Sequence, residues 1–233
     1  AFCDAGNDVG EVNEAEITRA VTAAKQHKVA VLVIGLPDSY ESEAFDREHM
    51  RLPEGYIALV NAVAEANPNT VVVLLGGSVM ELPFADKVKA ILYMGLPGQA
   101  GGEAVKDLLT GKSNPSGKLT ESWPLSYDQV ISSETFGKKN TEYREGIYVG
   151  YRYFDSFGVE PLYPFGYGLS YTTFDWKVTG FRATANTVTV NVKVTNTGKR
   201  AGKDVVQVYF SAPYTKGGIE KSKIELAAYG KTG

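Results

Sequence analysis

A chain of 233 residues with 43% apolar and 22% charged side chains has material for one or two packed domains. A formal charge of −3, from 24 basic and 27 acidic residues, argues against a phosphate-neutralising surface for nucleic acid and against a polybasic membrane patch. The single cysteine, Cys3, excludes an internal disulfide framework, and no apolar run reaches transmembrane length.

The first residues lack the basic-then-apolar build of a signal peptide, which makes a cytoplasmic location the expectation unless a leader precedes Ala1. Ala1 is not an initiator methionine and the last strand-like stretch runs to Gly233, so the chain reads as a fragment of something longer.

From Asn13 to Lys28, Ile17, Ala20, Val21 and Ala24 recur at helical spacing. Glu14 and Glu16 lie early and Lys25, His27 and Lys28 late, which suits the helix dipole. Val29–Gly35 reads as a fully buried parallel strand. The loop Tyr40-Glu41-Ser42-Glu43-Ala44-Phe45-Asp46-Arg47 follows, at the end of the strand where open α/β sheets place their ligand crevice. Pro53 opens a helix that turns Ile57, Val60, Val63 and Ala64 inward and stops at Asn67-Pro68-Asn69. Thr70–Leu75 is a second buried strand running into Gly76-Gly77-Ser78, and Lys89–Met94 is a third. The glycine-rich turn Gly95–Gly102 then leads into a helix from Glu103 to Leu109. Buried strands alternating with amphipathic helices predict an α/β sandwich with a mainly parallel sheet covered on both faces, over residues 1–165.

From about Ser132 the chain turns to aromatics and glycines. Glu145–Phe154 and Pro161–Tyr171 read as irregular packing segments. Beyond Phe174, Val188–Val194 and Asp204–Phe210 alternate as strands around the turn Asn196-Thr197-Gly198. Residues 166–233 are therefore expected to form a partial all-β sandwich.

Within the acidic loop, Glu43 is the candidate proton donor. A carboxyl among other carboxylates and beside an aromatic ring has its ionised form disfavoured, and a raised pKa suits a general acid. The plainer alternative, that Glu41, Glu43 and Asp46 are solvated loop charges, stays open. Asp46 and Arg47 are expected to brace the loop by pairing with each other or with neighbours. The carboxylate spacing lacks the regular oxygen ligands and glycine of an EF-hand, so no metal is assigned. Gly95–Gly102 has neither the Gly-x-Gly-x-x-Gly spacing nor a Gly-Lys-Ser ending, so it reads as a tight turn rather than a phosphate cradle. His27 and His49 lack the spacing of a metal pair or a serine-type triad, and Trp123, Trp176 and the tyrosines read chiefly as core. No cofactor is called for.

Taken in order, several motifs resemble the C-terminal α/β sandwich of family 3 glycoside hydrolases and the start of the fibronectin-III-like domain that follows it. They are Glu41-Ser42-Glu43-Ala44-Phe45-Asp46-Arg47, Leu52-Pro53, Asn67–Val73, Pro97-Gly98-Gln99-x-Gly101-Gly102 and Asn114–Leu119. Glu145–Tyr153 and Pro164–Phe174 are the most specific, joined later by Asn196-Thr197-Gly198 and Val205–Tyr209.

The resemblance implies that Glu43, at the glutamate of the Glu-Gly-(Tyr/Phe)-Asp-Arg motif, is the general acid/base of a retaining β-glucosidase-like enzyme. Tyr40 and Glu41 are then the candidate substrate-binding residues, Glu41 on the aglycone side or in shaping the loop. Ala44 stands where the family has glycine; if that glycine uses positive φ, the loop must shift. The implied nucleophile is an aspartate on a (β/α)8 barrel, which these residues do not contain. The implied partners are an oligosaccharide or glucoside substrate and a barrel domain or chain, and self-association is left open. A non-catalytic carbohydrate-binding module of the same fold is the competing reading, and a nucleotide-binding domain the remotest.

Overall fold

The structure, a computed structural model, describes residues 11–233; Cys3 lies outside the described residues. The chain divides into two compact units. One runs up to Val105 and takes in Trp123–Glu142; the other comprises Lys106–Ser122 and Tyr143–Gly233.

In the first unit, helix α1 (Glu14–Lys25) starts where Asn13 caps it, its side chain accepting from the Glu16 N–H at 3.1 Å. Strand β1 (Ala30–Gly35), helix α2 (Glu54–Ala66) and strands β2 (Thr70–Leu75) and β3 (Ala90–Gly95) follow. The three strands form a parallel sheet in the order β1-β2-β3. Ala20 and Ala24 of α1 meet Leu59 and Val63 of α2 in a buried cluster, against which Ala30 and Leu32 of β1 pack. The stop at Asn67 is built by side-chain bonds: its amide donates to the carbonyls of Ala24 and His27, both at 3.0 Å, and so ties the ends of α1 and α2 together.

β1 departs from the expectation of full burial. Its Ala30-Leu32-Ile34 face is turned to the helices, but Val31 and Val33 on the other face are 45% and 60% exposed. Helices α1 and α2 lie on the same side of this strand, so among the described residues nothing covers the second face. β2, between its two neighbours, is the buried strand: Val72, Val73 and Leu74 have no exposed surface. After β2 the chain sinks inward, burying Met80, Leu82 and Phe84, and Tyr93 of β3 meets Trp123 edge-on at 5.0 Å.

Helix α3 (Gly101–Leu109) begins two residues earlier than Glu103, and its opening glycine is sterically required. A Cβ on Gly101 would come within 2.8 Å of the Pro97 ring. In the second unit, the aromatic segment expected to be irregular contains a short helix, α4 (Tyr151–Phe157). The flanking glycines that suggested turns are its ends: Gly150 at φ 59° and Gly158 at φ 65°, the latter in the left-handed conformation that closes helices.

Two antiparallel hairpins complete the second unit, β4 (Phe174–Ala183) with β5 (Val188–Asn196), and β6 (Val205–Phe210) with β7 (Glu225–Lys231). Strand β4 carries Gly180 at a register shift against β5. These paired strands are fewer than a complete immunoglobulin-like sandwich uses. Asp204, just before β6, gathers the unit's polar centre. Its Oδ1 accepts from Lys118 Nζ at 3.1 Å and from the Val205 N–H at 3.0 Å, and its Oδ2 accepts from the Trp176 indole at 2.9 Å. Lys118 also donates to the Gly168 carbonyl at 2.6 Å.

Candidate active site

The carboxyl ends of all three parallel strands meet at the acidic loop. Leu36 N–H donates to the Leu75 carbonyl at 3.0 Å, holding the exit of β1 beside that of β2. Gly76 N–H donates to Gly95 O at 3.0 Å, and the Tyr93 hydroxyl to Gly76 O at 2.9 Å, which ties β2 to β3. The Pro37 carbonyl then accepts from the N–H groups of Tyr40 and Glu41, at 2.8 and 3.0 Å, and folds the chain back over this edge.

Glu41 is anchored through both carboxylate oxygens. Oε2 accepts from the Gly77 N–H at 2.7 Å and Oε1 from the Ser78 hydroxyl. Arg47 reaches the same serine from the other end of the loop: its Nη1 donates to Ser78 Oγ at 2.7 Å and to the Val79 carbonyl at 3.1 Å. Arg47 is half-buried, and its Nε and Nη2 are buried without a hydrogen bond among the described residues. Burial lowers its pKa, against the opposing charges of Glu41 and Glu81. Glu81 itself accepts from the Tyr127 N–H at 2.9 Å.

The structure thus brings Glu41 and Arg47 together through Ser78 and leaves residues 42–46 as an exposed tip. Glu43 is exposed on this tip without a hydrogen-bond or ion-pair partner among the described residues, and Phe45 beside it is 50% exposed. The desolvation foreseen for Glu43 is therefore not supplied by these residues. Asp46 is exposed beside Gly137, and Arg47 bonds to the β2 exit rather than to Asp46. Tyr40 packs edge-on against His49, with ring centroids 5.9 Å apart, and His49 Nδ1 accepts from the Arg51 N–H at 3.3 Å.

Ala44 has φ 78°, the left-handed conformation, and is the one non-glycine residue with positive φ among those described. Alanine here adopts a backbone conformation that favours glycine, at a cost of about 1–2 kcal/mol.

Reading the sequence alone missed Gly77 and Ser78. Gly76-Gly77-Ser78 followed a buried strand directly, and the rule that places ligands at strand carboxyl ends applied to it as much as to the acidic loop. Among the described residues, no group of His, Cys, Asp and Glu side chains is arranged to hold a metal ion. No helix among them is long and apolar enough to cross a membrane.

The sequence profile of the glycosyl hydrolase family 3 C-terminal domain matches residues 5–171. The chain belongs to this family. The family 3 chain is 46% identical over 226 residues to thermostable beta-glucosidase B of Acetivibrio thermocellus, covering 94% of itself and 30% of that protein. It is 41% identical over 230 residues to an exo-alpha-(1->6)-L-arabinopyranosidase of Bifidobacterium breve, covering 96% of itself and 30% of the relative. Among solved structures, the Bifidobacterium adolescentis GH3 beta-glucosidase superposes with a TM-score of 0.92 at 38% identity, over 100% of this family 3 chain and 35% of that one. The chain spans about a third of the length of these relatives.

Proposed function

We propose that this chain supplies the general acid/base, Glu43, to a retaining glycoside hydrolase of β-glucosidase type that removes terminal glycosyl residues from oligosaccharides or glucosides. One observation carries this reading: Glu43 is a carboxylate without a partner among the described residues, presented outward at the carboxyl edge of a parallel sheet by a loop bonded down at both ends. The names of the relatives support the reaction class. Since one of them is named for an arabinopyranoside, the sugar itself is left open.

A double displacement uses Glu43 twice. As an acid it protonates the glycosidic oxygen while a nucleophilic carboxylate attacks the anomeric carbon from the opposite side; as a base it then takes a proton from the water that releases the sugar. Retention requires the two carboxyl groups about 5–5.5 Å apart. In this proposal the nucleophile comes from a (β/α)8 barrel in another domain or chain, and docking against that barrel buries the tip. Tyr40 borders the substrate through the face not covered by His49. Glu41, whose oxygens are engaged by Gly77 and Ser78, shapes the loop and faces the aglycone through its remaining lone pairs.

The test is kinetic and uses the complete enzyme that contains this chain. Glu43→Ala is expected to slow alkyl glucosides through both steps and activated aryl glucosides through deglycosylation. Binding of the sugar with no turnover by the unaltered complete enzyme would favour the carbohydrate-binding reading instead.

A further inference from the structure

We infer that Ser78 is a positioning residue for Glu43, its hydroxyl setting the gap between the two ends of the loop; this rests on the acid/base reading above. A serine hydroxyl has one proton to give and lone pairs with which to accept. Here the proton goes to Glu41 Oε1 and a lone pair takes Arg47 Nη1 at 2.7 Å, so the bonds run in one direction from guanidinium through hydroxyl to carboxylate. Glu41 and Arg47 are the residues that bracket the exposed tip, and Ser78 stands between their opposite charges. The tip contributes no hydrogen bonds of its own among the described residues, and Ala44 within it occupies a backbone conformation that alanine disfavours. A strained residue persists only where its surroundings over-determine it, and the surroundings here are the two ends of the loop.

Removing the hydroxyl leaves Glu41 bonded to the Gly77 N–H and Arg47 bonded to the Val79 carbonyl, so the loop keeps its anchors. It also leaves a carboxylate and a guanidinium facing each other with nothing between them. Their direct or water-mediated attraction redraws the gap, Ala44 relaxes, and Glu43 moves. Displacement of a reacting group by a fraction of an ångström is enough to impair proton transfer while leaving the sugar's own contacts intact.

The discriminating readout is leaving-group dependence in the complete enzyme containing this chain. kcat/KM reports glycosylation, which needs the acid for an alkyl leaving group and not for a dinitrophenolate. Ser78→Ala is expected to lower kcat/KM about tenfold for an alkyl glucoside and less than about twofold for the dinitrophenyl glucoside. An equal loss on both substrates, the mark of a merely structural role, overturns the inference, as does no loss on either. A second measurement needs no catalysis: in a crystal structure of the complete enzyme containing this chain, Ser78→Ala is expected to take Ala44 out of positive φ and to displace the Glu43 carboxyl while leaving β2 unchanged. An unmoved Ala44 and Glu43 also overturns it. If Glu43→Ala in the complete enzyme shows no acid/base signature, the underlying reading fails, while the structural comparison still decides whether Ser78 orders the loop.

Discussion

Asp204 and Glu43 are both carboxylates outside regular structure, and they differ in what surrounds their oxygens. Asp204 is buried with both oxygens engaged by Lys118, Val205 N–H and Trp176; Glu43 is exposed with neither oxygen engaged among the described residues. Burial alone would push the Asp204 carboxyl up, but the hydrogen bonds from Lys118, Val205 and Trp176, with the charge of Lys118, outweigh it and hold the pKa below its ordinary value of 3.8. A carboxylate so satisfied is a structural tie, fixed in its ionised form. One left unengaged is open to a substrate, which is the role we propose for Glu43.

The largest effect that would break this contrast is on rate. Glu43→Ala in the complete enzyme is expected to lower turnover of alkyl glucosides by about 10²–10⁴-fold, while thermal stability stays within about 0.5 kcal/mol of wild type. A large loss of stability without a rate defect would make Glu43 a structural residue like Asp204. Next comes Asp204→Ala, which strands the Lys118 ammonium and the Trp176 N–H. It is expected to cost about 2–3 kcal/mol in denaturant unfolding of the chain, because removing one partner of a buried pair exposes the desolvation cost of the other.

The pH dependence sharpens the same point. A depressed carboxylate pKa contributes stability that is fully present above the ordinary pKa and lost as pH falls through the lowered one. The advantage of wild type over Asp204→Asn is therefore expected to be flat above about pH 5 and to shrink progressively below about pH 4. An advantage independent of pH would show that the ion pair contributes nothing beyond shape. The smallest expected effect is Ala44→Gly, which removes the left-handed penalty at φ 78° and is expected to raise stability by less than about 1 kcal/mol in thermal unfolding. A loss of stability would mean that the methyl group contributes packing worth more than the strain.

The strands β1, β2 and β3 were legible in the sequence because apolar runs bounded by glycine and proline admit few alternatives. The burial of β1 was not legible. Its valines read the same whether one face or two are covered, and coverage depends on which side α1 and α2 take. Helix α4 was obscured because its capping glycines, Gly150 and Gly158, are also turn residues. Strand β4 went unread altogether, its alternation interrupted by Gly180, which sits at a register shift. At the site, Glu43 could be singled out by the company it keeps in sequence. Ser78 could not: it lies dozens of residues from both Glu41 and Arg47, and only the parallel pairing of β1 with β2 brings it between them.

The most direct test of Glu43 as the acid/base is chemical rescue of Glu43→Ala in the complete enzyme, with an activated aryl glucoside as substrate and azide added. Azide needs no general base, so it replaces water in the second displacement and should restore turnover with β-glycosyl azide as product. Glu41→Ala, which removes the loop's anchor at Gly77 and Ser78 but no proton-transfer group, should show a milder loss and no azide product. Azide rescue of Glu41→Ala with none for Glu43→Ala would contradict the assignment and move the acid/base to Glu41.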